Sequence, residues 1–373
     1  MNRPAVFRTA ACVAMLLVAG VARPGVEAQA FGYEQWERAV RERGLDPREV
    51  VFPFRANEEM AAWAREVTRP VASAAPEVKL VTLQNAFFDR GEFSFSYDDQ
   101  RTLTAEEAFA EGHGNCMSFT SMFIALSRSL GIPTFLLEVE RLPGVERQEN
   151  LVVVNRHVVA GYRTPTKIYY YDFFVTTSTT FVSHQIIDDV GASAIYHTNH
   201  GGLAIRADDL DGALHHLGLA VDLAPDWVPA WVDLGVALSR NGDIDAALDA
   251  FQRALAIEPE NSSALINMAK IFGDLGRDEE AQTALRAAAE GTRNPFTLIA
   301  MADVEMVRGN LDEARKYVKR ARWWYPKEPA VYDALSRISR LEGDQEKALK
   351  YSRKASDLRQ RAVEDDGQDD PID

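Results

Sequence analysis

The C-terminal half of the chain repeats one arrangement of small, apolar and polar positions. Alanines recur there at intervals of 34, 34, 33 and 34 residues, each shortly after a polar turn: Ala213, Ala247, Ala281, Ala314 and Ala348. A fixed interval of this length is typical of stacked helix pairs, because one pair cannot bury its apolar face without its neighbours. The pattern therefore predicts an all-α solenoid of about five units over residues 194–362.

The second unit carries this pattern most completely. Its apolar, small and terminal positions are Trp231, Leu234, Gly235, Leu238, Ala247, Phe251, Ala254 and Pro259. The small residues let two antiparallel helices approach closely, and the proline ends the second helix. The interval and these positions resemble the tetratricopeptide repeat. The unit before it has a polar first helix, and we interpret it as the junction with the upstream half.

The resemblance implies a concave face, formed mainly by the first helix of each pair, that holds an extended peptide or a partner helix. We therefore expect a protein or peptide partner on this face. The residues expected to contact it are Val232, Val236, Ile266, Lys270, Ile299, Asp303 and Arg337. The alternative is that the face only covers the neighbouring domain.

The N-terminal half changes from a helical to a strand-like pattern. Between residues 118 and 130 the apolar positions follow a helical period, and Gly131 and Pro133 end that element. Segments rich in Val, Tyr and Phe follow at residues 134–139, 151–162 and 168–175. Residues 31–193 are therefore predicted to form an α+β domain, in which the helix packs on an antiparallel sheet.

Three polar residues occupy defined places in these elements. Cys116 lies in the first turn of the helix, where free amides and the helix dipole favour a thiolate. His157 and Asp172 interrupt two apolar strands, and a hairpin through residues 164–166 would set them side by side. Each residue alone has an ordinary structural explanation, as a small core residue, a satisfied buried donor or a turn cap. Together they suit nucleophilic acyl transfer.

Gly114, Asn115 and Cys116 opening a helix, followed by His157 and Asp172 on successive strands, resemble the transglutaminase-like superfamily of papain-like cysteine enzymes. The resemblance covers roughly residues 80–189. It implies that Cys116 is the nucleophile, His157 the base and Asp172 the group that orients the imidazole.

The acyl-transfer chemistry also requires an oxyanion site, and the chain departs from the family pattern beside the histidine and the aspartate, where we expect a different substrate wall. The backbone amide of Cys116 is the expected first donor, and Gln84 or Asn85 is the expected second donor. Many members follow the histidine with Ala-Trp and the aspartate with a Pro-Thr pair, whereas this chain has Val158-Val159 and Phe173-Phe174.

The N-terminal segment has the layout of a secretory signal peptide. Arg3 and Arg8 precede fourteen uncharged residues and a small-residue stretch that ends at Ala30. We expect cleavage near Ala30 and a periplasmic or secreted protein; an uncleaved anchor is the alternative. The apolar run is shorter than the ~20 residues of a spanning helix, and no integral membrane domain is expected.

Charge, cysteine and histidine content limit the partners, disulfides and cofactors that we expect. The net charge of −15 disfavours nucleic acid as a partner. Without residues 1–30, Cys116 is the sole cysteine, which excludes an intrachain disulfide. The other histidines show no metal-ligand spacing, so neither a metal nor another cofactor is expected. Six carboxylates lie among the last ten residues, and residues 363–373 are predicted to be a disordered acidic tail.

Two functions from different classes remain open. The first is an exported, bacterial-type cysteine enzyme that transfers an acyl group from an amide through a thioester, with hydrolysis favoured over cross-linking. The second is a catalytically silent scaffold for protein–protein interaction in the cell envelope, with the repeats recruiting a partner.

Overall fold

The computed structural model describes residues 32–87, 94–141, 147–148, 151–152, 157–172, 181–289, 292 and 294–366. The predicted signal peptide, residues 1–30, lies outside this range. Among the described residues, no helix combines the length and apolar character needed to cross a membrane.

Five helices precede the main sheet. They are α1 (Tyr33–Glu42), α2 (Glu58–Thr68), α3 (Pro76–Ala86), α4 (Ala105–Glu111) and α5 (Cys116–Ser129), with a 3₁₀ turn at Arg69–Val71. Thr104 and Glu107 form a reciprocal capping box at the start of α4. Two short strands, β1 (Ser96–Tyr97) and β2 (His113–Gly114), pair in parallel just before α5. The predicted helix is therefore confirmed as α5.

The main sheet has four antiparallel strands in the order β7-β6-β3-β8. Their bounds are β3 (Phe135–Arg141), β6 (His157–Arg163), β7 (Ile168–Tyr171) and β8 (Phe181–Ile187); β4 (Arg147–Gln148) and β5 (Leu151–Val152) pair separately. The predicted segment 151–162 contains two strands, β5 and β6, rather than one. Residues 173–175 of the last predicted strand lie outside the described residues.

Helix α5 packs on this sheet through a buried aromatic core. Phe123 stacks on Tyr171 of β7 with ring centroids 5.0 Å apart. Thr120 Oγ1 donates to the Val158 carbonyl of β6 at 3.2 Å, which satisfies a buried hydroxyl at the helix–sheet contact. The predicted helix-on-sheet α+β domain is confirmed.

Five antiparallel helix pairs follow the sheet. Their bounds are α6 (Asp189–Arg206) with α7 (Leu210–Leu223), α8 (Val228–Asn241) with α9 (Ile244–Ile257), α10 (Ser262–Asp274) with α11 (Asp278–Ala289), α12 (Pro295–Val307) with α13 (Leu311–Trp324), and α14 (Pro329–Leu341) with α15 (Gln345–Asp366). One continuous apolar cluster runs from α8 to α14. The predicted solenoid is confirmed.

Two of the predicted boundaries fall inside helices. Helix α6 begins at Asp189 and continues through Ala194, the predicted seam between the halves. Helix α15 continues to Asp366, four residues into the predicted acidic tail. Residues 367–373 lie outside the described range.

A glycine sets the distance between the helices of the second pair. A Cβ atom at Gly235 would lie 2.6 Å from Phe251 Cε1, and Phe251 is fully buried. Gly235→Ala should therefore lower the free energy of unfolding by about 1–3 kcal/mol, because the ring has no room to move aside. Gly218→Ala, where nothing lies within 4 Å, is the matched control. Its better helix propensity should instead raise stability by up to about 1 kcal/mol. Urea titrations of both variants test this prediction, and equal stabilities would contradict it.

Candidate active site

The start of α5 is fixed by a glycine and an asparagine cap. Gly114 has φ +147°, and a Cβ atom there would lie 2.5 Å from Ser118 Cβ. Asn115 Oδ1 accepts from the Ser118 amide at 3.1 Å, which satisfies one of the free amides at the helix start. Cys116 is consequently held as the first residue of α5, at the positive end of the helix dipole.

A hairpin brings the histidine and the aspartate together. His157 is the first residue of β6, and Asp172 directly follows β7, which pairs antiparallel with β6. His157 Nε2 lies 2.8 Å from Asp172 Oδ1. The two residues are 9% and 8% exposed, so solvent screens this contact weakly. The other ring nitrogen, Nδ1, takes no part in this contact.

Cys116 completes the cluster and is partly buried against the domain core. Burial alone would lower the pKa of His157, but hydrogen bonds to Asp172 and Cys116 and the charges of both partners raise it to about 9. The imidazole therefore carries its proton at neutral pH and loses it as the pH rises through about 9. An imidazolium beside a cysteine is the arrangement that stabilises a nucleophilic thiolate.

Of the two predicted upstream donors, one contacts the cluster. Gln84 Nε2 on α3 donates to the Asp172 carbonyl at 2.8 Å, across 88 residues of sequence. Because a side-chain amide has two N–H groups, one of them remains for another acceptor. Asn85 is exposed on the same helix. The backbone amide of Cys116, at the first helical position, has no acceptor within the helix.

The predicted contact residues of the concave face divide into three groups. Val232 and Ile299 are only 9% and 3% exposed and belong to the repeat core, so their assignment to an exposed face is corrected. Arg337 Nη2 pairs with Asp303 Oδ1 at 2.5 Å, which links two neighbouring first helices. The residues that remain at least partly exposed and outside that pair are Val236, Ile266 and Lys270.

Two contacts around the cluster have no signal in the sequence. The Gln84–Asp172 bond and the contact of Thr102 with Asn115, at 2.6 Å between Oγ1 and Nδ2, join residues whose spacing follows no periodic pattern. Within the described part of the chain, no group of three His, Cys, Asp or Glu residues is placed to hold a metal ion.

Comparison with protein families finds one matching segment in each half of the chain. Residues 61–154 match the transglutaminase-like superfamily, and residues 238–295 match the tetratricopeptide repeat. The chain carries a transglutaminase-like domain followed by tetratricopeptide repeats. The first match includes Cys116 and ends before His157 and Asp172.

Individual relatives match only part of the chain. Superkiller protein 3 of Schizosaccharomyces pombe is 28% identical over 34% of this chain. The chloroplastic tetratricopeptide repeat domain-containing protein PYG7 of Arabidopsis thaliana is 34% identical over 21%. The chain spans 9% and 25% of the length of these two proteins.

Solved structures of low similarity cover a little under half of this chain. The type IV pilus biogenesis factor PilW is 22% identical with a TM-score of 0.38, covering 45% of this chain and 78% of that chain. PilF of Pseudomonas aeruginosa is 18% identical with a TM-score of 0.37, covering 44% of this chain and 76% of that chain.

The electrostatics of the cluster can be tested at Asp172. Asp172→Asn keeps the shape of the side chain and removes its charge, while burial of His157 still favours the neutral ring. The pKa of His157 should therefore fall from about 9 by at least about one unit. NMR titration of ¹³C-labelled histidine, with the signal assigned through His157→Gln, measures this shift. The signal of exposed His184 should be unaffected by the substitution. An unchanged His157 titration would show that the carboxylate does not control the ring.

Proposed function

We propose that this protein is a cysteine acyl-transfer enzyme whose repeats bind a protein or peptide partner. The observation that carries the proposal is the buried His157–Asp172 pair, 2.8 Å apart, whose histidine also contacts Cys116. Burial disfavours the charged form of a histidine, so a buried imidazolium is stable only where a carboxylate and a second partner compensate the lost hydration. A purely structural histidine in this strand would need one hydrogen-bond partner, not a carboxylate and a thiol.

The proposed reaction follows from the roles that these atoms suit. The Cys116 sulfur attacks the carbonyl carbon of an amide while the thiol proton resides on His157. The tetrahedral intermediate collapses, the C–N bond breaks, and the imidazolium gives its proton to the leaving amine. A water molecule, deprotonated by His157, then attacks the thioester and releases a carboxylic acid and the free thiol. Asp172 holds the imidazole in one tautomer and orientation throughout.

Stabilisation of the oxyanion is assigned to donors near the sulfur. The Cys116 backbone amide lies at the helix start, where no acceptor within the helix competes for it. The second N–H of Gln84 is the proposed partner donor, because its first N–H already anchors the amide group beside Asp172.

Hydrolysis is favoured over cross-linking as the second step. Water is always available, whereas cross-linking requires a bound amine and the exclusion of water from the thioester. Val158 and Val159, which stand where many family members have Ala-Trp, are only 5% and 0% exposed and therefore pack in the core rather than against a substrate. The acyl acceptor is therefore proposed to be water.

The repeats and the N-terminal segment define the setting of this chemistry. Tetratricopeptide repeats generally mediate protein–protein interaction, so a macromolecular substrate or partner is proposed on the concave face near Val236, Ile266 and Lys270. The signal-like residues 1–30 support an exported protein, periplasmic or secreted. Under the alternative function, the same repeats recruit a partner while the transglutaminase-like domain is a silent platform.

The reactivity of Cys116 separates these two functions. In protein lacking residues 1–30, iodoacetamide should alkylate Cys116 at pH 7 more than about tenfold faster than it alkylates the urea-unfolded chain, because the imidazolium favours the thiolate. Mass spectrometry of the labelled peptide measures both rates.

Two histidine variants provide the control for this measurement. His157→Gln should reduce the native rate to that of the unfolded chain. His184→Gln, at an exposed position of β8, should leave it unchanged. Native labelling no faster than that of the unfolded chain would support the silent platform.

A further inference from the structure

Helix α6 belongs to both halves of the protein. Ala192, Ile195 and Tyr196 are buried in the same apolar cluster as Phe119 and Met122 of α5. The rest of α6 packs as the first helix of the repeat array, where Arg240 Nη1 of α8 donates to the Ile205 carbonyl at 2.9 Å. The first repeat helix is therefore also a core helix of the transglutaminase-like domain.

The beginning of α6 is tied to the end of α5 by a bidentate ion pair. Arg128 Nη1 and Nη2 lie 2.8 Å and 2.9 Å from the two carboxylate oxygens of Asp189. Asp189 is 1% exposed, and a parallel pair of charge-assisted bonds fixes orientation as well as distance. This contact sets the position of the last turn of α5.

A second link reaches the start of α5, where Cys116 lies. His200 Nε2, eleven residues further along α6, contacts the Thr102 carbonyl at 2.9 Å. Thr102 Oγ1 in turn accepts from Asn115 Nδ2 at 2.6 Å, and Asn115 is the cap of α5. Eleven residues of helix span about 16 Å, and the thirteen residues from Asn115 to Arg128 span about 20 Å. Helix α6 is therefore long enough to hold α5 near both of its ends.

The segment around Thr102 surrounds the helix start. The Asn115 amide donates to the Arg101 carbonyl at 2.9 Å. The Leu103 amide donates to Ser118 Oγ at 2.8 Å. A shift of residues 101–103 would consequently move the cap, the first turn of α5 and the Cys116 sulfur together.

His200 has the protonation that this contact requires. Burial lowers the pKa of His200, against the opposing effects of the Thr102 carbonyl and of Glu107, so the ring is neutral at pH 7. A carbonyl oxygen can only accept, and the single ring proton therefore resides on Nε2. The ring is also held between neighbours, 4.5 Å from Tyr196 and 5.2 Å from His216 between centroids.

We propose that His200 is a positioning residue for Cys116, through which the first repeat helix sets the geometry of the nucleophile. The inference deepens the proposed cysteine chemistry and rests on it for its functional meaning. It makes the first repeat helix a support of the reactive centre, so that a truncation intended to spare Cys116 must retain α6.

Substitution of His200 in the full mature chain tests this link. His200→Phe keeps an aromatic ring and removes the donor, and it should slow iodoacetamide labelling of Cys116 about tenfold, the effect of one lost buried hydrogen bond. Amide hydrogen exchange at Asn115 and Ser118 should become faster. His200→Gln retains an N–H group and should restore both measurements. His215→Phe, at an exposed position of α7, is the matched control and should change neither.

A second variant covers the case in which His200→Phe does not fold. Thr102→Val keeps the side-chain shape and removes the Oγ1 acceptor of Asn115, so it should reproduce both effects while His200 stays in place. Unchanged labelling in folded His200→Phe or Thr102→Val would overturn the proposal, whether or not exchange becomes faster. Failure of His200→Gln to restore the rate would overturn it as well. Slow labelling of the unsubstituted protein, with exchange still dependent on His200, would instead contradict the proposed function and leave the structural link intact.

Discussion

The buried contact between His157 and Asp172 is the interaction on which the remainder of the site depends. Burial opposes a charged imidazole, yet the pKa of His157 is raised to about 9 because the carboxylate and Cys116 compensate the lost hydration. That compensation works only while the strands and α5 keep their spacing, since charge interactions in a buried site change steeply with distance. The β6–β7 hairpin fixes His157 and Asp172, and the cap of α5 fixes Cys116.

The architecture around the site can be understood as support for this spacing. Gln84 holds the Asp172 carbonyl from α3, Thr120 joins α5 to β6, and Asn115 holds the helix start. Each of these bonds satisfies a polar group that would otherwise be costly to bury. Helix α6 adds a connection to the repeat array at both ends of α5, so the two halves share one framework.

Patterns with a local physical cause could be predicted from the sequence. The repeat interval and the helix at Cys116 follow from burying apolar side chains with one period, and β3, β6 and β7 follow from segments rich in Val, Tyr and Phe. The proximity of His157 and Asp172 was predictable because a hairpin needs only local pairing. The Gln84 bond, the Thr102 segment and the role of α6 were not predictable, because they join residues distant in sequence through single polar contacts. Val232 and Ile299 were misplaced because an apolar first helix serves stacking and partner binding alike.

The proposed chemistry requires that Cys116 forms an acyl intermediate with the help of His157. Its most direct test is acylation by an activated ester, p-nitrophenyl acetate, followed by acid quenching and intact-mass and peptide analysis. We expect one acetyl group on Cys116 at early times, its loss on longer incubation, and no accumulation in His157→Gln. Acetylation confined to another residue, or equal acetylation of Cys116 in both proteins, would show that Cys116 and His157 do not act as nucleophile and base.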